Sequence, residues 1–148
     1  MRAICHILAV AVMTTLGAQA EEKISVLIVT GQNNHDWFRS APMIESLLEE
    51  TGRFQVSVST TPSEEAPEDA WGAWRPKFKD YDVVLSDYNG KMWPDGVKSG
   101  FVDYVRNGGH VVLVHAANNA FNGWKEFEAS IEEAGNRDND PPAKASAP

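Results

Sequence analysis

The chain has 148 residues, 21 acidic against 13 basic side chains, a formal charge of −8 and a single cysteine, Cys5. One cysteine excludes a disulfide framework and a multi-cysteine zinc site. The acidic balance and the lack of any basic stripe disfavour nucleic acid and anionic membrane surfaces as partners, leaving neutral small molecules or cations.

Arg2 is followed by the apolar run Ile7 to Met13 and the small-residue stretch Leu16 to Ala20. This pattern reads as a secretory signal peptide over residues 1–20, cleaved after Ala20, and hence as a secreted or periplasmic protein. The run is interrupted by Thr14 and Thr15 and falls short of the roughly 20 apolar residues a bilayer span needs, so no stable membrane anchor is expected. Cys5 would leave with the signal, removing any cysteine nucleophile or ligand from the exported protein. The remaining stretch suffices for one core, and a single domain over residues 21–134 is expected.

Ile24 to Thr30 is a nearly continuous, β-branched-rich run suited to a strand buried on both faces, and it ends at Gly31. After a polar loop, Ser40 is expected to cap a helix with Pro42 in its first turn. Met43, Ile44, Leu47 and Leu48 repeat at helical spacing before Gly52. Phe54 to Ser59 alternates apolar and polar residues, as a strand near the sheet edge would.

The acidic, proline-bearing stretch Thr61 to Asp69 reads as solvated surface, and Trp71, Trp74 and Phe78 as a short helical turn against the sheet. Val83 to Leu85 forms a third strand between Asp82 and Asp87. A helix follows with Asp95 near its start, Val97, Phe101, Val102, Tyr104 and Val105 on its apolar face, and Asn107 to Gly109 at its stop. Val111 to Val114 is expected to be a fourth buried strand ending at His115, with a weaker helical pattern around Trp124, Phe127 and Ile131. Residues 135–148 hold prolines, scattered charges and no large apolar residue, and read as a disordered tail.

Strands alternating with helices predict an α/β fold: a parallel, flavodoxin-like sheet flanked by helices, with right-handed crossovers. Ligands of such sheets bind beyond the carboxyl ends of the strands. The loops expected there bring together Gln32, Asn33, Asn34, His35, Asp36, Asn89, His115, Asn118 and Asn119 with Trp37, Trp93 and Phe121. Amides pair a donor with an acceptor, which matches vicinal hydroxyls, and aromatic faces cover the apolar side of a pyranose, so a sugar or glycoside is the expected small-molecule ligand. The same asparagines also suit turns and caps. His35, Asp36 and His115 are the candidate acid, base or metal-ligating residues; a divalent metal would use His35 and His115, and hydrogen-bonded structural histidines are the plainer alternative.

Three segments, Val26 to Trp37, Tyr81 to Gly90 and Tyr104 to Phe121, resemble the ThuA-like (trehalose utilisation) family, and the resemblance runs from Lys23 to Trp124. It implies a role in trehalose or related sugar metabolism and a fold similar to class I glutamine amidotransferases. Those enzymes carry a nucleophilic cysteine on the turn after a central strand, whereas this chain offers His115 in that neighbourhood, so amidotransferase chemistry is not implied. Domains of the family usually continue further, and the pattern here dissolves after Glu133, which reads as an incomplete sheet at the carboxyl end. An uncovered edge would then favour self-association. Two alternatives to an enzyme stand beside this reading: a non-catalytic carbohydrate-binding or interaction domain, and a truncated, inactive fragment.

Overall fold

The computed structural model describes residues 22–130. The expected signal peptide with Cys5, the tail from residue 135 and the position of Ile131 lie outside the described residues. Among the described residues, no helix is long and apolar enough to cross a membrane.

The sheet is built on strand β1, Ile24–Thr30, whose last five residues are buried. A strand so enclosed needs partners on both edges. β2, Phe54–Thr60, and β3, Val83–Ser86, flank it in parallel, with Val26 opposite Val56 on one side and Val83 on the other. β4, His110–Leu113, pairs in parallel with β3, which gives the order β2-β1-β3-β4 of a flavodoxin-like sheet.

The period-two alternation of the strands sends residues to two separate cores. Leu27, Val29 and Val84 face a large aromatic cluster supplied by helix α2, Glu68–Ala73, helix α3, Asp95–Arg106, the 3-10 turn Phe78–Asp80 and the segment carrying Trp124 and Phe127. Val26, Ile28 and Leu85 face the other way, against Ala41, Ile44 and Leu48 of helix α1, Trp37–Glu50.

Two expectations are corrected. Helix α1 begins at Trp37, three residues before Ser40, so Ser40 is inside the helix and Pro42 lies beyond its first turn. Asp36 occupies the cap position, and its backbone carbonyl accepts the N–H groups of Arg39 and Ser40. Strand β4 is not buried on both faces: Val112 is 46% exposed, because β4 has β3 as its only partner among the described residues and α1 packs over β1 and β2 instead. The stops are as the sequence indicates, with Gly52 and Gly108 in the left-handed region at φ 72° and 88°.

Candidate functional site at the carboxyl ends of the strands

Parallel strands deliver their carboxyl ends to one edge of the sheet, and four loops meet there. The chain leaves β1 through Gly31, at φ 123°, where a Cβ would stand 2.7 Å from the backbone nitrogen of Thr61. Only glycine allows the two loops to pass this closely. Gln32 then ties three loops together. Its Nε2 donates to the Pro62 carbonyl at 2.8 Å, its Oε1 accepts the Lys91 N–H at 2.9 Å, and its backbone carbonyl accepts the Asn89 N–H at 2.9 Å.

Asn33 turns the chain back on itself, its Oδ1 accepting the N–H of His35 at 3.0 Å. Its Nδ2 donates to Oδ1 of Asp87 at 3.2 Å. Asn34 is exposed and accepts a hydrogen bond from Nδ2 of Asn89 at 3.2 Å. Most of these amides therefore hold loop to loop, which is the role that their turn-forming chemistry also suggests.

The two candidate histidines come together. Although 80 residues apart in sequence, His35 and His115 place their rings 4.6 Å apart, centroid to centroid, at an interplanar angle of 87°. Both are exposed at the mouth of the sheet edge. His115 opens the 3-10 turn His115–Asn119 with a φ of 41°, a left-handed conformation that a side-chain-bearing residue adopts at a cost of roughly 1–3 kcal/mol. Asn118 and Asn119 lie exposed on the same turn. Asp36, grouped with the histidines on sequence, makes an exposed ion pair with Arg39 at 3.3 Å. Among the described residues, no group of three or more His, Cys, Asp or Glu side chains is arranged to hold a metal ion.

The aromatic residues divide. Trp37 is half-buried beside the exposed Phe38, with ring centroids 4.6 Å apart. Trp93 and Phe121, expected to cover a sugar, are 2% and 4% exposed and pack on one another at 4.7 Å within the aromatic core, so neither presents a face to a ligand. Tyr88 is fully buried beside them, and its hydroxyl donates to the Lys91 carbonyl at 2.6 Å.

Two residues of the site escape sequence reasoning. Asp87 follows β3 directly and is only 3% exposed. Its Oδ2 accepts the hydroxyl of Ser40 at 2.6 Å, and its Oδ1 accepts Asn33. Burial pushes its carboxyl above the usual carboxylate range, against the opposing pull of the Ser40 and Asn33 hydrogen bonds and the nearby His35. The available signal was a carboxylate placed directly after a buried apolar run, where charge must find partners. Ser40 gave no signal beyond that of a helix cap.

A cavity of about 1060 Å³ lies elsewhere, at the amino ends of β1, β3 and β4, and is lined by Arg75, Tyr81, Asp82 and His110 among others. Neither His35 nor His115 lines it.

A four-stranded parallel sheet with helices on both faces and polar loops at its carboxyl edge defines an α/β protein of flavodoxin-like arrangement. More particularly, the chain is similar to a ThuA-like protein from Parabacteroides merdae known from its crystal structure, with 40% sequence identity and a TM-score of 0.68. The match covers 72% of this chain and 37% of that one. This similarity supports a relation to ThuA-like proteins. No family model and no curated protein matches the chain.

Proposed function

We propose that this chain is an exported ThuA-like domain acting on trehalose or a related glycoside, with His35 and His115 as the proton-moving pair. The observation that carries the reading is the contact between the two imidazole rings at the carboxyl edge of the sheet. Imidazole can both accept and donate a proton through its two ring nitrogens, which suits general acid–base work. The left-handed backbone at His115 adds to it, since strain of this kind concentrates at functional positions. Asn34, Asn118 and Asn119 remain at the exposed rim and supply groups of the kind that pair with sugar hydroxyls. Similarity to a ThuA-like protein supports the substrate class, and the amino-terminal pattern of Arg2, Ile7 to Met13 and Leu16 to Ala20 supports export.

The test is a thermal melt of the purified protein against trehalose, other disaccharides and divalent metals, followed by the same series on His35→Ala and His115→Ala. A ligand at about 100 times its Kd adds roughly 2.7 kcal/mol, a readily measured shift. A sugar-induced shift with turnover that either substitution abolishes supports the reading. Binding that survives both substitutions with no turnover to lose identifies a carbohydrate-binding domain instead.

A further inference from the structure

We propose that Asp87 is the positioning residue of the histidine pair, and that its buried carboxylate holds the β1–α1 loop where the His35 ring meets His115. This rests on the reading of His35 and His115 as the reactive pair. Asp87 is reached from both ends of that loop. Ser40, one turn into α1, donates its hydroxyl to Oδ2 at 2.6 Å, and Asn33, two residues before His35, donates its amide to Oδ1 at 3.2 Å.

The other end of the Asn33 side chain accepts the His35 N–H at 3.0 Å, so a continuous chain of hydrogen bonds runs from the carboxylate through Asn33 to the backbone that carries the imidazole. Asp87 is itself fixed, since its N–H donates to the Val29 carbonyl at 2.9 Å and it directly follows β3. A strand-anchored acceptor with two directed oxygens is a rigid reference point, whereas the loop from Gln32 to Asp36 has no ladder of its own. The protein keeps a carboxylate 3% exposed in a position where burial disfavours its charge. Such an arrangement is characteristic of functional sites, where a stabilising apolar residue would lose the geometry.

The test reads the nuclear Overhauser contact between the ring protons of His35 and His115 in labelled protein, which needs no substrate. In the wild type the contact is present. Asp87→Ala is expected to abolish it while far-UV circular dichroism stays native, and Asp87→Asn is expected to restore it. An asparagine can accept from Asn33 with its oxygen and donate its amide to the Ser40 hydroxyl.

If Asp87→Ala does not fold, the double variant Ser40→Ala and Asn33→Ala, which leaves the carboxylate but removes its donors, decides the matter, with loss of the ring contact expected. A native-like fold that keeps the contact in either decisive variant overturns the proposal. Failure of the functional reading shows separately: the ring contact follows Asp87 as described, yet His35→Ala and His115→Ala change no sugar response.

Discussion

Gln32 presents its carboxamide oxygen to the backbone N–H of Lys91 at 2.9 Å, across 59 residues of sequence. The same side chain fills the space a Cβ would need at Gly90. Gln32 is thus a bracket between the β1 and β3 loops, with Pro62 as its third attachment. Gln32→Ala breaks two hydrogen bonds, each worth about 1 kcal/mol net, and leaves part-buried backbone groups unpaired. A loss of roughly 2–3 kcal/mol in urea unfolding is expected; a change below about 0.5 kcal/mol would return Gln32 to the role of a free ligand-binding amide.

Trp93 lies in contact distance of the rings of Trp74, Phe78, Tyr88, Phe101, Phe121 and Trp124. Trp93→Ala should therefore cost about 3–5 kcal/mol of stability, the range for removing a large aromatic from a packed core. A sugar-stacking tryptophan would instead lose affinity at little cost in stability. Equilibrium unfolding measured beside ligand titration of Trp93→Phe separates the two, and near-unchanged affinity is expected.

Gly31→Ala places a methyl group against Thr61 at a φ of 123°. Left-handed strain and overpacking each cost roughly 1–3 kcal/mol, so the β1 and β2 loops must part or the fold weakens by several kcal/mol. Differential scanning calorimetry gives the answer directly. Gly52→Ala, where φ is 72° but nothing lies within 4 Å of the added carbon, should show the strain alone and fall less far.

Two aspartates set opposite pH dependences. Both the hydroxyl and the N–H of Ser25 donate to Asp82, which holds its carboxyl below the ordinary 3.8. Its stabilising contribution is present above that value and is lost as pH falls through the folded pKa. Burial raises the carboxyl of Asp87, so its contribution is present below 3.8 and is lost as pH rises through the folded pKa. In unfolding free energies measured from pH 3 to 8, Asp82→Asn should flatten the acid side of the profile. Asp87→Asn should flatten the rise of destabilisation above the ordinary carboxylate pKa. An unchanged profile for either substitution would contradict the assignment.

The outer edge of β4 has no partner strand among the described residues, and Val112 is exposed on it. An apolar edge of this kind pairs with whatever strand it meets. Sedimentation equilibrium is expected to show a mass rising with concentration, and Val112→Lys, which puts a charge on the edge, should lower it toward the monomer.

The secondary-structure elements were legible along the chain, because their evidence is local. The apolar run from Ile24 to Thr30, the helical repeat of Val97, Phe101 and Tyr104, and the glycines at positions 52 and 108 each act through near neighbours along the chain. Their alternation also fixed the parallel sheet and so the edge at which polar loops gather. The partners of each side chain could be settled only by the tertiary structure. Asp87 and Ser40 are 47 residues apart and His35 and His115 are 80 apart, and such pairs meet only through the register of strands that the chain does not write down. Trp93 and Phe121 follow the same logic: their residue type suited a ligand, but the packing of α3 and the Trp124 segment over the sheet turned them inward. Burial is a property of what covers a residue, and that cover comes from elsewhere in the chain.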